Sequence, residues 1–182
     1  PTPTVTVSPT PTLSPTPTPR VTCTPPPAPA PTATPITNGA LKCQRGIAKN
    51  ASKFYAAKTK ILQKCEGNVV KTGAGSCPNA AATSKIASAA AKLASGIGNA
   101  CGGDDKLCGG GDDFTLAAIG FVTTCPSVVV PFGGPACGGP ITNITDLVNC
   151  VDCVTEYKVD CADALTRPDQ VGYPSECAGA VP

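Results

Sequence analysis

The run LKCQRGIAKNASKFYAAKTKILQKC, residues 41–65, decides the fold. Leu41, Ile47, Ala51, Phe54, Ile61, Leu62 and Cys65 fall at helical spacing, with Lys42, Lys49, Lys53, Lys60 and Lys64 around the rest of the wheel. That pattern predicts a long amphipathic helix with one apolar stripe turned to a core. A second helix is predicted from about Asn79 to Cys101, rich in Ala, with Ile86, Leu93 and Ile97, stopped by Gly102-Gly103. The link, residues 67–78, is short, so two helices of similar length fold back as an antiparallel hairpin. Folding back sets Cys43 beside Cys101 at one end and Cys65 beside Cys77 at the other, and these two disulfides are predicted. Small side chains on the second helix let the backbones approach, leaving the bridges to supplement a core poor in aromatics.

Beyond Cys101 the chain turns to Gly-rich loops with shorter helical pieces near residues 114–124 and 144–165. Cys108, Cys125, Cys137, Cys150, Cys153, Cys161 and Cys177 lie there, an odd number. With the hairpin's four paired internally, the domain's 11 cysteines leave one over, and Cys23 upstream is its remaining partner. Cys23 is therefore predicted to staple the N-terminal tail to a domain, its own or a neighbour's. Twelve Cys without a single His argue for structural disulfides and secretion over zinc. The one CxxC, Cys150 and Cys153, lacks the βαβ surroundings of a redox motif and reads as structural too. An export signal is expected to have been removed ahead of Pro1. The fold class expected is mainly α and disulfide-rich: an antiparallel helical hairpin, Gly-rich loops and short helices, preceded by an extended Pro/Thr tail.

That tail, residues 1–38, holds 13 Pro, 14 Ser or Thr and one charge, Arg20; residues 39–182 form the Cys-rich globular domain. From Thr2 to Thr24 every even position is polar and every odd one is apolar or Cys. Period two is a strand signature. Most odd residues are Pro and lack an N–H, so such a strand donates hydrogen bonds along one edge only and suits an added, donor-strand position. Val5, Val7, Leu13 and Val21 would pack on protein. The hydroxyl row, with Thr2, Thr4, Thr6, Thr10, Thr12, Thr16 and Thr18, would carry O-glycans. The alternative is a solvated polyproline-II stalk.

Charge divides within the domain. Residues 39–103, the hairpin, carry ten basic residues and one acid; residues 104–182, the loop and helix lobe, carry three basic and eleven acidic residues. Either the two lobes face each other inside one domain, or copies stack basic lobe on acidic lobe, a heterologous contact that propagates. A net charge of +2 gives no overall footprint for nucleic acid, and no apolar run approaches the roughly 20 residues of a membrane span. Absent His removes Ser-His-Asp and Cys-His chemistry. Nothing in the spacing positions a carboxylate pair for sugar hydrolysis, and no enzyme is expected.

Asp104, Asp105, Asp112 and Asp113 stand on Gly-rich backbone. Oxygen-rich flexible loops of this kind bind calcium, although the spacing is no EF-hand and Asp112-Asp113 suit a helix cap equally. No cofactor is expected beyond that ion. Asn50-Ala51-Ser52 and Asn143-Ile144-Thr145 are N-glycosylation sequons.

The segments Leu41-Lys42-Cys43-Gln44, Leu62-Gln63-Lys64-Cys65, Cys77-Pro78, Ala100-Cys101-Gly102-Gly103-Asp104 and Cys108-Gly109 through Asp112-Asp113 resemble a family of cysteine-rich secreted proteins of environmental bacteria, over residues 41–153. The resemblance implies export and a helical disulfide-bonded module and carries no catalytic residue. A Pro/Thr tail before a compact Cys-rich unit also resembles subunits of extracellular glycoprotein filaments joined by extended tails. The expected function is thus a structural subunit of an extracellular, glycosylated homopolymer, its tail packed on neighbouring domains. The alternative is a monomeric cell-surface adhesion module on a mucin-like stalk.

Overall fold

The chain divides into two units, residues 1–34 and 35–182. The computed structural model describes residues 37–166 and 172–178, which belong to the second unit. Cys23, the tail threonines Thr2 to Thr18, and Val5, Val7, Leu13 and Val21 lie outside the described residues.

Helix α1 runs Asn38–Thr72. Thr37 caps it, its hydroxyl oxygen accepting the Ala40 N–H at 3.2 Å. The helix continues about two turns past Cys65 to Thr72, because Gly67 lowers helix propensity without halting the ladder. The stop is Gly73, whose φ of 65° returns its N–H to the Val69 carbonyl. Helix α2, Ala80–Cys101, starts where Asn79 Oδ1 accepts the Ala82 N–H at 2.9 Å. Disulfides Cys43–Cys101 and Cys65–Cys77 tie the start of α1 to the end of α2 and late α1 to the segment before α2. The helices therefore run in opposite directions. They touch where Gly46 faces Ala100: a Cβ on Gly46 would stand 2.3 Å from the Ala100 Cβ.

The stretch predicted as a helical piece over 114–124 folds otherwise. Only α3, Leu116–Ile119, is helical. Strand β1, Thr124–Val129, follows and pairs antiparallel with β2, Ala136–Pro140, with a bulge between Cys125 and Val128. The β-branched run Val128-Val129-Val130 and the turn residues Pro131 to Gly134 favour a strand and reversal over a helix. Helix α4, Ile144–Thr166, is opened by reciprocal caps. Asn143 Oδ1 accepts the Asp146 N–H at 2.9 Å, and the Asp146 carboxylate accepts the Thr142 N–H at 2.9 Å.

Cys125–Cys150 and Cys137–Cys153 fasten each strand to α4, and Cys161–Cys177 fastens the 3-10 turn Ser175–Cys177 to it. Cys150 and Cys153 thus serve two different strands. The core gathers Ile47 and Phe54 of α1, Leu93 and Ile97 of α2, Ile119 of α3, and Ile144 and Leu147 of α4. The protein is mainly α and disulfide-rich. With α4 packed on α1 and α2, the acidic and basic halves meet inside one domain, while Lys42, Arg45, Lys49, Lys53, Lys60 and Lys64 stay exposed.

Candidate functional site

Lys58 sits one turn after Phe54 and one before Leu62, on the apolar stripe of α1. Packing of that stripe on α4 carries its side chain inward, where the residue is 5 % exposed. A buried ammonium is tolerated only when paired, and α4 provides partners at helical intervals: Asp152, Glu156, Asp160 and Asp163 share a face. Lys58 Nζ lies 3.0 Å from both carboxylate oxygens of Asp160 and 3.4 Å from Glu156 Oε1. Asp152, one turn earlier, is pushed up to about 6, first by desolvation and then by the charge of Glu156, against the pull of Lys58. Desolvation also raises Asp160, although Lys58 opposes it, and raises Asp163.

A cavity of about 400 Å³ opens beside this cluster. Glu66, Glu156, Asp160 and Asp163 line it with Lys58, and the β1–β2 turn adds Val130, Phe132 and Pro135. Phe132 is 59 % exposed, and its φ of 61° is unusual for a bulky residue. Glu156 and Asp160 already pair with Lys58, so the cavity joins an ion-paired acidic side to an apolar rim.

The loop predicted to bind calcium uses its acids differently. Asp112 accepts the N–H groups of Asp104 at 2.6 Å and Asp105 at 3.3 Å, which hold its carboxyl below the ordinary range. Asp105 accepts the Leu107 N–H and Asp113 the Gly109 N–H, both at 2.8 Å. Three of the four carboxylates, those of Asp105, Asp112 and Asp113, accept the loop's own amides, and no group of three or more His, Cys, Asp or Glu among the described residues is placed to hold a metal.

The five bridges account for ten of the domain's cysteines, and the one left over is Cys108. It is half-buried against α2, its Sγ 4.0 Å from the Ala94 carbonyl. Burial, then Asp113 and Asp105, push its thiol pKa up. Asn50, predicted as a glycan acceptor, is wedged between the helices. Its Nδ2 donates to the Gly46 carbonyl at 2.8 Å, and a Cβ on Gly96 of α2 would lie 2.4 Å from its Oδ1. That packing leaves Asn50 half-buried. Asn143 is exposed at the start of α4.

Sequence reasoning missed the Lys58 cluster. Its signal was present as a cation inside an apolar stripe and four acids at helical spacing on a later helix. Searches of protein-family models, curated proteins and solved structures found no match to this chain.

Proposed function

We propose that this protein is a structural subunit of an extracellular, glycosylated filament, in which the extended tail of one copy packs on the domain of the next and Cys23 locks the joint. Cysteine parity carries the reading. Ten domain cysteines pair internally, Cys108 does not, and Cys23 is the remaining cysteine of the chain. A thiol with a raised pKa is slow to react as thiolate and, once bonded, is a poor leaving group. Cys108 is therefore suited to a lasting bridge and ill suited to catalysis, and the reading assigns the protein no enzymatic role. Five disulfides fit an oxidising compartment outside the cell, and no described helix is long and apolar enough to cross a membrane. O-glycans belong to the tail hydroxyls, and Asn143 is the remaining N-linked sequon with an exposed acceptor.

Non-reducing gels and negative-stain microscopy test this directly. The expected result is a ladder of covalent oligomers that collapses to monomer in Cys108→Ser and in Cys23→Ser, with filaments abolished by deletion of residues 1–25. A sharp monomer with no filaments would favour the monomeric adhesion module.

A further inference from the structure

The surface of the helical hairpin carries charge of a single sign. From Asn38 to Cys101 the one acid is Glu66, which is buried, against ten cations that are all exposed except Lys58. Folded surfaces ordinarily intersperse both signs. Lys49 with Lys53, and Lys60 with Lys64, stand one turn apart on α1, a spacing at which like charges repel. The ion pairs among the described residues are those of Lys58, so no described carboxylate offsets this repulsion.

These cations lie along a groove where α1 and α2 meet. Three adjoining hollows of about 380, 440 and 340 Å³ make it up; the first shares Lys53 and Gly96 with the second, and the second shares Ala57 with the third. Its α1 side is set with Lys42, Arg45, Lys49, Lys53, Lys60 and Lys64, and its α2 side with Lys85 and Lys92. Among the described residues no carboxylate lines it. From Lys42 to Lys64 the helix rises about 33 Å, so the cations form a row and not a knot around one small ion. Gly46, Ala57, Ala89 and Gly96 keep the floor low, while Asn68, Ser95 and Asn99 place two amides and a hydroxyl beside it.

A row of this length matches an extended polyanion. A second copy does not supply one: its Glu156 and Asp160 are turned to Lys58, and its exposed Asp104, Asp105 and Asp112 crowd a single loop. Single-stranded nucleic acids bind by stacking on exposed aromatic side chains, and the one aromatic at the groove, Phe54, is 2 % exposed. A duplex is wider than the roughly 8–10 Å between the axes of packed helices, so it spans the groove without entering. Anionic membranes are held by inserted apolar side chains as well as by cations, and none of the large apolar residues exposed among the described ones lines this groove. An unbranched acidic polysaccharide is one chain wide, is charged at intervals, and carries hydroxyls that side-chain amides and hydroxyls can bond.

We infer that the α1–α2 groove binds a linear acidic polysaccharide along the row from Lys42 to Lys64. Each domain carries the groove complete, so this binding goes beyond the filament reading and serves a monomer equally. Full-length protein is titrated into a fluorescein-labelled polygalacturonate fragment and followed by anisotropy. Binding is expected at low salt and should weaken steeply as salt rises. The double variant Lys53→Glu, Lys60→Glu should bind about tenfold or more weakly, whereas Lys71→Glu, Lys158→Glu, with the same change of net charge at exposed positions outside the groove, should bind within about twofold of wild type. Exchanging repelled lysines for Glu relieves the row, so the melting temperature should not fall; if it does, Lys53→Gln, Lys60→Gln takes the place of the first variant. No binding at low salt, binding untouched by the groove variant, or equal weakening by the two charge-matched variants overturns the groove. Oligo-dT, a short DNA duplex or phosphatidylglycerol vesicles bound more tightly than polygalacturonate through the same lysines overturns the polysaccharide and puts a nucleic acid or an anionic membrane in its place.

Discussion

Asp152 is the odd member of the α4 acidic face. Glu156 and Asp160 reach Lys58, whereas Asp152 keeps a buried Oδ1 with no hydrogen-bond partner. Its pKa, raised to about 6, means that the folded chain holds a proton there between about pH 4 and pH 6 while the unfolded chain has released it. The folded state binds more protons across that window, so this residue's contribution to stability is full below the window and is lost as pH rises through about 6. At pH 7 the charge is a net burden. Asp152→Asn is therefore expected to raise stability at pH 7 by about 1–2 kcal/mol, allowing for the screening that a half-exposed group enjoys. It should also remove the decline between pH 4 and pH 6, as read by urea melts across the pH series. Lys58 and Cys108 show why the site was only partly legible. A search for apolar stripes passes over a lysine that shares the stripe, because its partners lie on a helix about a hundred residues later. Parity announces that one domain cysteine is left over, but which one depends on where the helices bring the Cα atoms.

Among the elements, α1 and α2 were legible because their apolar spacing, caps and small residues all point the same way. Their closeness is also testable. Gly46→Ala places a methyl 2.3 Å from the Ala100 Cβ, which belongs to the opposing helix and cannot swing aside. Gly67, in the same helix, meets nothing within 4 Å. The first substitution should destabilise by about 1–3 kcal/mol despite better helix propensity; the second should stabilise by about 0.5–1 kcal/mol. Equal effects of the two in thermal melts would mean that the helices are not in contact at Gly46. The β1–β2 hairpin was less legible. Its strands are short and interrupted by Pro126, Gly138 and Gly139, and the disulfides Cys125–Cys150 and Cys137–Cys153 hold them to α4. Alternation of side chains has little left to say in strands fixed by covalent bonds.

Across the described residues, two of the five bridges lie within residues 39–103 and three within 104–182, so no disulfide joins the halves, which meet through packing, the Lys58 ion pairs and hydrogen bonds such as that from Gln44 to the Ile119 carbonyl. Cys43–Cys101 has a mechanical consequence in a thread joined through Cys108. Tension arriving along the tail enters the first turns of α1, crosses that bridge, and leaves by the short stretch from Gly102 to Cys108. In the proposed filament the 58-residue separation that the bridge spans is bypassed, and the chain beyond Cys108 carries no load. Stretching single filaments should therefore release none of the hairpin in wild type. The Cys43→Ser, Cys101→Ser double variant should show steps of roughly 150 Å per domain, the contour of the freed residues outside the loop that Cys65–Cys77 still closes; wild-type filaments yielding the same steps would place the line of force elsewhere. A thread wired in this way would resist elongation at its sulfur atoms, with everything after Cys108 in each bead standing outside the line of force.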